Sequence, residues 1–312
     1  MAGRSHTAPD DRRGRRADPA TEAFVAHRNL LFTVAYEMLG SAADAEDVLQ
    51  ETWLRWTHVD LATIENQRAY LVRITTRQAL SRLRVLSRRK ESYVGSWLPE
   101  PLLTAPDVAE DVELADSVSM AMLLVLETLT PTERAVFVLR EVFDVGYDEI
   151  AEAVDKTPTA VRQIAYRARA HVAERRPREP ASAAQTREAF EAFRRAAETG
   201  DLQSLLDLLA PDVVLVADGG GVRQAVPRPV VGADKVARLL AAGLGTVTAT
   251  MSLRPAQANG YPALVLERGG EIDTVVTVRI DDGRITGLYA VRNPAKLSHM
   301  QRQTALVRSL GG

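Results

Sequence analysis

Apolar and polar positions change rhythm along the chain, and each change marks a boundary. From about residue 21 to 90 the period is helical. Ser41 ahead of Ala42-Ala43-Asp44 is a capping-box variant, with Asp in place of Glu, and predicts a helix from about Ala42 to Trp56. A second helix is predicted from Gln67 to about Arg88, with Leu71, Ile74, Ala79, Leu83 and Leu86 as its apolar stripe. Pro99, Pro101 and Pro106 then preclude a continuous helix, so 91–113 reads as a linker. Helical pattern resumes near Leu114. Thr130-Pro131-Thr132-Glu133 is a full capping box with proline at the first helical position. Tyr147–Val154 reads as a short helix, and Thr157-Pro158 opens another that runs to about Ala173.

Beyond Pro177 and Pro180 the period shifts again. Two helices are expected near 185–199 and 201–209, then a strand over Val213–Val216 that ends at Asp218-Gly219-Gly220-Gly221. A short strand within 225–231, a helix over Gly232–Gly243, and strands near 246–254, 262–268, 272–280 and 284–291 follow, the last two joined by an Asp282-Gly283 turn. Helices followed by a run of strands make an α+β domain. The expected division is a disordered tail over 1–20, a helical module over 21–90, the linker 91–113, a helix-turn-helix module over 114–176, a short linker 177–183, an α+β domain over 184–300 and a tail over 301–312.

Length agrees with that division, since 312 residues suggest two or three domains at roughly 100–200 residues each. The absence of cysteine excludes disulfides and thiolate metal sites. No apolar run reaches the ~20 residues of a membrane helix. Arg12, Arg13, Arg15 and Arg16 precede no apolar stretch, so the start is no signal peptide, and a cytoplasmic protein is expected. Neither a metal nor a cofactor is expected. Asp218-Gly219-Gly220-Gly221 lacks the spacing of a phosphate loop and reads chemically as a flexible turn.

The net charge of −2 hides segregation. All charges from Arg68 to Lys90 are basic, all from Glu91 to Glu133 acidic, and those from Lys156 to Arg178 basic again apart from Glu174. Local fields of this kind steer partners more than the total does. Arg73, Arg77, Arg84 and Arg88, with Ser81 among them, share one face of the second helix. Such a row suits phosphates and guanine edges, or is a solvated basic face. In 147–169, Val161, Ala165, Ala168 and Val172 form a buried stripe, while Thr159, Arg162, Gln163, Tyr166 and Arg167 point outward, as in a helix-turn-helix reader of DNA. The acidic helix with Asp44, Asp47, Gln50, Glu51 and Trp53 repels phosphate. It suits a protein-docking surface anchored by Trp53, or is an amphipathic helix with Trp53 in the core.

The order of these features resembles the extracytoplasmic-function (ECF) sigma factors. Asp44 through Trp53 resembles the part of region 2 that docks on the RNA polymerase β′ clamp. Arg68-Ala69-Tyr70-Leu71-Val72-Arg73-Ile74 resembles the start of the helix that melts and reads the −10 element. Ile150-Ala151 through Ala165-Tyr166-Arg167-Ala168-Arg169 resembles the region 4 helix-turn-helix that reads the −35 element. The resemblance implies core polymerase, through its β′ clamp and β flap, and promoter DNA as partners. It assigns DNA contact to Arg68, Tyr70, Arg73, Arg77, Ser81, Arg84, Thr159, Arg162, Gln163, Tyr166 and Arg167.

Three further strings are similar to motifs of the SigJ-type subfamily: Trp97-Leu98-Pro99-Glu100-Pro101-Leu102, Asp218-Gly219-Gly220-Gly221 and Asn293-Pro294-Ala295-Lys296-Leu297. The subfamily usually has Asp at the place of Ala295 and often Lys at that of Val222. Its members carry a fused SnoaL-like domain, a cone-shaped α+β fold that contacts the linker and sigma core and modulates activity in cis. The resemblance therefore implies a multi-domain chain: two all-α sigma domains, a region 2 bundle and a region 4 helix-turn-helix, plus a C-terminal α+β SnoaL-like domain. That domain has room in principle for a small-molecule ligand. The alternatives are a ligand-sensing DNA-binding regulator that is not a sigma factor, or a SnoaL-like enzyme with Asp218, Asp273 and Tyr289 as candidate groups.

Overall fold

The structure, a computed structural model, describes residues 18–90, 92–104, 112–175, 182–247, 251–298, 300 and 306. The expected tail through residue 17, most of the 177–183 linker and nearly all of 301–312 lie outside the described residues, as does His299.

The first module is three helices, α1 (Pro19–Leu39), α2 (Ala42–Trp56) and α3 (Gln67–Lys90). Gly40, at φ 65°, ends α1 through its N–H on the Tyr36 carbonyl, and the Ser41 hydroxyl accepts from the Asp44 N–H to start α2. After a turn at Ser92 and bends at Val94 and Gly95, the linker runs without helix from Ser96 to Thr104. The second helical module has α4 (Val112–Val118), α5 (Met120–Leu126), α6 (Pro131–Phe137) continued by a wider π turn over Val138–Val142, α7 (Tyr147–Val154) and α8 (Pro158–Arg175). The Thr130–Glu133 capping box forms. Val161, Ala165, Ala168 and Val172 are the buried stripe of α8. The two helical modules share one continuous apolar cluster, from Ala20 and Phe24 through Leu71 and Leu83 to Leu126, Ile150 and Val172.

The C-terminal domain starts with α9 (Ala183–Thr199) and α10 (Leu202–Leu208), continues with β1 (Leu209–Asp218), β2 (Val230–Val231) and α11 (Ala233–Val247), and ends with β3 (Ser252–Ala258), β4 (Tyr261–Arg268), β5 (Glu271–Asp281), β6 (Arg284–Val291) and the short α12 (Pro294–Leu297). Its six-stranded sheet has the order β2-β1-β6-β5-β4-β3, with only the β1–β6 pair parallel. Register shifts within the β1–β6, β4–β5 and β5–β6 pairs bend the sheet around α9, α10 and α11. The expected strand near 246–254 is displaced. Helix α11 runs on through Gly243 and Gly245 to Val247, and the strand is Ser252–Ala258. The helix carries both glycines, at a cost of about 1 kcal/mol each, and residues 248–250 of the expected strand lie outside the described residues. The expected 225–231 strand shrinks to Val230–Val231, and the 213–216 strand lengthens to Leu209–Asp218.

Both faces of this sheet are apolar. Leu264, Leu266 and Val278 face the domain's own helices, whereas Ala263, Val265, Val275, Tyr289 and Val291 form a second cluster with Leu98 of the linker and Met120 and Ala121 of α5. A sheet with two apolar faces must cover both. Here the rest of the chain covers the second.

Candidate functional site: a linker clamp and two helices expected to meet DNA

The linker is gripped from both sides. Asp218, fully buried at the end of β1, accepts from the Leu98 N–H (2.9 Å) and Lys296 Nζ (2.8 Å) at Oδ2, and from the Tyr93 hydroxyl (2.6 Å) and Gly220 N–H (2.9 Å) at Oδ1. Lys296 Nζ also donates to the Leu98 carbonyl, and Asn293 donates to the Tyr93 hydroxyl (2.8 Å). Trp97 lies between two cations, with Lys90 Nζ 3.5 Å and Lys296 Nζ 4.3 Å from its ring centre. Gly40 makes room for it, since a Cβ there would stand 3.2 Å from the indole. Pro99 and Pro101 are buried in the same stretch, and Leu297 packs in the second cluster of the sheet.

The glycines of the expected flexible turn are held tightly. A Cβ on Gly219 would meet the Arg223 carbonyl at 2.0 Å, and one on Gly220, at φ +60°, would meet Asn293 at 2.4 Å. Close approach, as well as the left-handed backbone, requires glycine there. Ala295 and Val222, where the subfamily usually carries charge, are exposed.

On the other side, Glu100 caps α2. Its carboxylate accepts from the Ala42 N–H (2.6 Å), the Ala43 N–H (3.2 Å) and the Ser41 hydroxyl (2.9 Å), and its carbonyl accepts from the Tyr36 hydroxyl (2.6 Å). A carboxylate at a helix N-terminus meets unpaired N–H groups and the positive end of the dipole. Leu102 and Thr104 add to the edge of β3. Leu103 bridges Ala258, and Thr104 N–H donates to the Gln257 carbonyl (3.0 Å).

Asn259 was not among the residues singled out from the sequence. At φ 56° in the β3–β4 turn, its side chain accepts from the Leu102 N–H (3.0 Å) and donates to the Tyr36 hydroxyl (2.6 Å) and the Val118 carbonyl (2.9 Å), tying linker and both helical modules to the sheet. The Asn259-Gly260 pair is a turn signal, but nothing local tells that the side chain reaches so far.

A charge cluster lies behind Trp97. Glu127 pairs with both Lys90 and the buried Arg134, whose Nε donates to the Glu37 carbonyl (3.0 Å). Burial lowers the Lys90 ammonium to about 8, helped by Arg134 and Lys296 and opposed by Glu127. Burial pulls Lys296 down too, against Asp218. Burial would raise Glu127, but Arg134 and Lys90 hold it below the usual carboxylate range.

The two helices expected to meet DNA are disposed unequally. On α8, Thr159, Arg162, Gln163, Tyr166 and Arg167 are exposed, with Tyr166 at 72%. On α3, Ser81 and Arg84 are exposed and Arg68 and Tyr70 half-buried. Arg73, stacked on Tyr70, pairs with Glu152 of α7 at 2.6 Å, and Arg77 donates to the Glu152 carbonyl at 2.7 Å. On α2, Asp47, Gln50 and Glu51 are exposed, while Asp44 is half-buried beside Arg82 at 2.7 Å. Trp53 is half-buried on Phe24 with ring centres 5.1 Å apart, and the neighbouring Leu54 is 61% exposed.

Asp218, Asp273 and Tyr289 share no site. Asp218 is in the clamp, Tyr289 in the second cluster of the sheet, and Asp273 lines a cavity on the opposite face.

Residues 23–89 match the family Sigma-70 region 2, and residues 119–172 match Sigma-70, region 4. The ECF RNA polymerase sigma factor SigJ of Mycobacterium tuberculosis (H37Rv) is 34% identical over 303 residues, covering 88% of this chain and 92% of its own length. The probable ECF RNA polymerase sigma factor SigI of the same species is 32% identical over 289 residues, covering 92% and 97%. The crystal structure of M. tuberculosis SigJ superposes with a TM-score of 0.72 at 30% identity, over 90% of this chain and 99% of that one. With both sigma regions in order and this likeness running on through the sheet domain, the chain belongs to the ECF RNA polymerase sigma factors, of SigJ type, which recognise promoters and initiate transcription.

Proposed function

We propose that the C-terminal domain controls this sigma factor in cis by holding regions 2 and 4 together through the linker. The observation that carries this is the position of Arg73 and Arg77: both are engaged by Glu152, so region 4 sits against the face of α3 that suits DNA. The −10 and −35 elements are about 25 base pairs apart, or roughly 85 Å at 3.4 Å per step. Modules that share one apolar cluster do not span that distance, so promoter engagement requires them to part. The clamp on Leu98 and Trp97 opposes the parting, because both modules flank the linker it grips.

In the opened chain, Asp44, Asp47, Gln50, Glu51 and Trp53 dock on the β′ clamp of core polymerase, and region 4 meets the β flap. Arg68, Tyr70, Arg73, Arg77, Ser81 and Arg84 engage the −10 element. Thr159, Arg162, Gln163, Tyr166 and Arg167 read the −35 element. The exposure of the α8 set and of Asp47, Gln50 and Glu51 supports these roles. So does the fit of Arg and Gln to guanine and adenine edges. Trp97, Leu98, Pro99, Glu100, Pro101 and Leu102, with Asp218, Gly219, Gly220, Gly221, Asn293, Pro294, Lys296 and Leu297, form the regulatory contact.

The test is run-off transcription with core polymerase, comparing the full chain with Trp97→Ala and Asp218→Ala. Both variants are expected to raise promoter-dependent product while the far-ultraviolet circular dichroism of the chain is kept. Unchanged or lower output from both overturns the inhibitory clamp, and Arg162→Ala that leaves output intact overturns the region 4 assignment.

A further inference from the structure

Of the 39 lysines and arginines in the chain, only Lys90, Lys156, Lys235 and Lys296 are lysines. Lys156 and Lys235 are exposed. The other two flank Trp97, with Nζ 3.5 Å and 4.3 Å from its ring centre. Arginine would offer the ring a cation equally well, and its charge is permanent. Lysine differs in its chemistry: the amine can lose its proton and then act as a nucleophile.

The two clamp lysines differ in access. The Lys296 side chain is 9% exposed, and its Nζ donates to Asp218 and to the Leu98 carbonyl. The Lys90 side chain, at the end of α3, is 20% exposed. It lines a cavity of about 220 Å³ together with Gly40 and Ser41 of the α1–α2 turn, Tyr93 and Trp97 of the linker, and Lys296. Region 2, the linker and the C-terminal domain meet there. The cavity's carboxylates are already engaged, Asp44 by Arg82 and Glu100 by the N-terminus of α2. The charges nearest Lys90 are Glu127, its ion-pair partner, and the cations Arg134 and Lys296. Burial, with those two cations, brings the Lys90 ammonium down to about 8 against the pull of Glu127. At pH 8 about half of it is therefore unprotonated, compared with less than about one per cent of an ordinary lysine.

We propose that Lys90 is a modification site, whose Nζ takes an acyl group from a short acyl phosphate, and that this removes one of the two charges holding Trp97. The cavity's volume admits a small acyl donor and its product. The unprotonated nitrogen attacks the carbonyl carbon. The C–N bond forms, and the C–O bond to phosphate breaks. Phosphate leaves with the bonding pair, and the proton shed by nitrogen passes to it by way of the Glu127 carboxylate hydrogen-bonded to Nζ. The resulting amide keeps one N–H and no charge, so the cation–π contact with Trp97 and the ion pair with Glu127 are both lost. Glu127 keeps Arg134. The effect on transcription rests on the clamp proposed above; the acylation itself does not, and is measured separately.

The experiment treats the full chain with acetyl phosphate at pH 8 and follows each lysine by peptide mass spectrometry. Lys90 is expected to be acetylated about tenfold faster than the exposed Lys156 and Lys235, because its larger unprotonated fraction outweighs the lower basicity of its amine. In concentrated urea the three rates are expected to converge. Lys156 or Lys235 reacting as fast as Lys90 in the folded chain, or a preference that survives urea, overturns the site. The treated chain, freed of reagent before core polymerase is added, is expected to give more run-off product than the untreated chain, and Lys90→Arg is expected to give the same output treated or untreated. No rise in the natural chain, or the same rise in Lys90→Arg, overturns the release of Trp97. Trp97→Ala tests the clamp without any acyl donor, so a failure of the clamp and a failure at Lys90 are told apart.

Discussion

Gly220 and Lys90 show how single residues hold the clamp. Gly220 lies at φ +60° with Asn293 where a Cβ would go, whereas Gly283 lies at φ +72° with open space around it. Gly283→Ala therefore meets backbone strain alone, about 1–2 kcal/mol. Gly220→Ala meets that strain and a clash, and is expected to cost roughly 1–3 kcal/mol more. Thermal melts of the two variants check this, and equal shifts would mean that the Asn293 contact yields freely. Lys90 makes a pH prediction. Its folded value of about 8 lies below the ordinary 10.5, so between them the unfolded chain holds the proton and the folded chain has lost it. The unfolded state binds more protons there, so this group adds stability as pH rises through that window, by at most about 1.4 kcal/mol per unit. Below about pH 8 both states are protonated and the contribution is flat. The stability difference between the natural chain and Lys90→Met, followed by urea denaturation across the window, is expected to climb with pH. A flat difference would place the Lys90 ammonium near its ordinary value.

At the scale of elements, the linker is a strand extension at one end and a helix cap at the other. Asn259 joins these by three side-chain hydrogen bonds to Leu102, Tyr36 and Val118. Asn259→Ala is expected to lower the opening free energy of the Leu102 and Thr104 amides by about 2–4 kcal/mol in hydrogen exchange, at about 0.5–1.5 kcal/mol per bond. Asn259→Gly keeps the left-handed turn and loses the same bonds, so the loss common to both belongs to the side chain. Most elements were legible beforehand. The Thr130 capping box, the Tyr147–Val154 helix and the buried stripe of α8 follow from signals within one or two turns of helix. The misplaced strand near 246–254 was not, because α11 continues to Val247 through Gly243 and Gly245, residues that locally signal a helix end. One available signal went unused: Ala263-Leu264-Val265-Leu266 is apolar on both faces of a strand and announces a sheet with two partners.

At the scale of the whole molecule, regions 2 and 4 meet through a shared apolar cluster and the buried Lys90–Glu127–Arg134 charges, whereas the Arg73–Glu152 pair between them is weak. Arg73 and Glu152 are 33% and 63% exposed, which limits their pair to about 0–1 kcal/mol. Glu152→Ala is therefore expected to open the chain little, and Trp97→Ala considerably more. The chain has no cysteine, so fluorophores on cysteines introduced at the exposed Val85 of α3 and Glu174 of α8 report the separation directly. Energy transfer is expected to fall when core polymerase and promoter DNA bind, and a constant value would mean that the closed arrangement is the working one. The reading of the chain as an enzyme is excluded by its family, since ECF sigma factors are transcription initiation factors without catalytic chemistry of their own.

By itself, the sequence determined the order of two helical DNA-reading modules and an α+β domain, through caps, periods and charge blocks whose range is a few residues. Its glycine, proline and tryptophan strings marked where the domain meets the linker. Only the tertiary structure decided that Asp218 reaches Leu98 across 120 residues and Arg73 reaches Glu152 across 79, so that Arg73 and Arg77 of the arginine row expected on DNA lie against the other module. Contacts of that span depend on how three apolar surfaces close on one another. A side chain's local pattern states which face it occupies and leaves open what that face will meet.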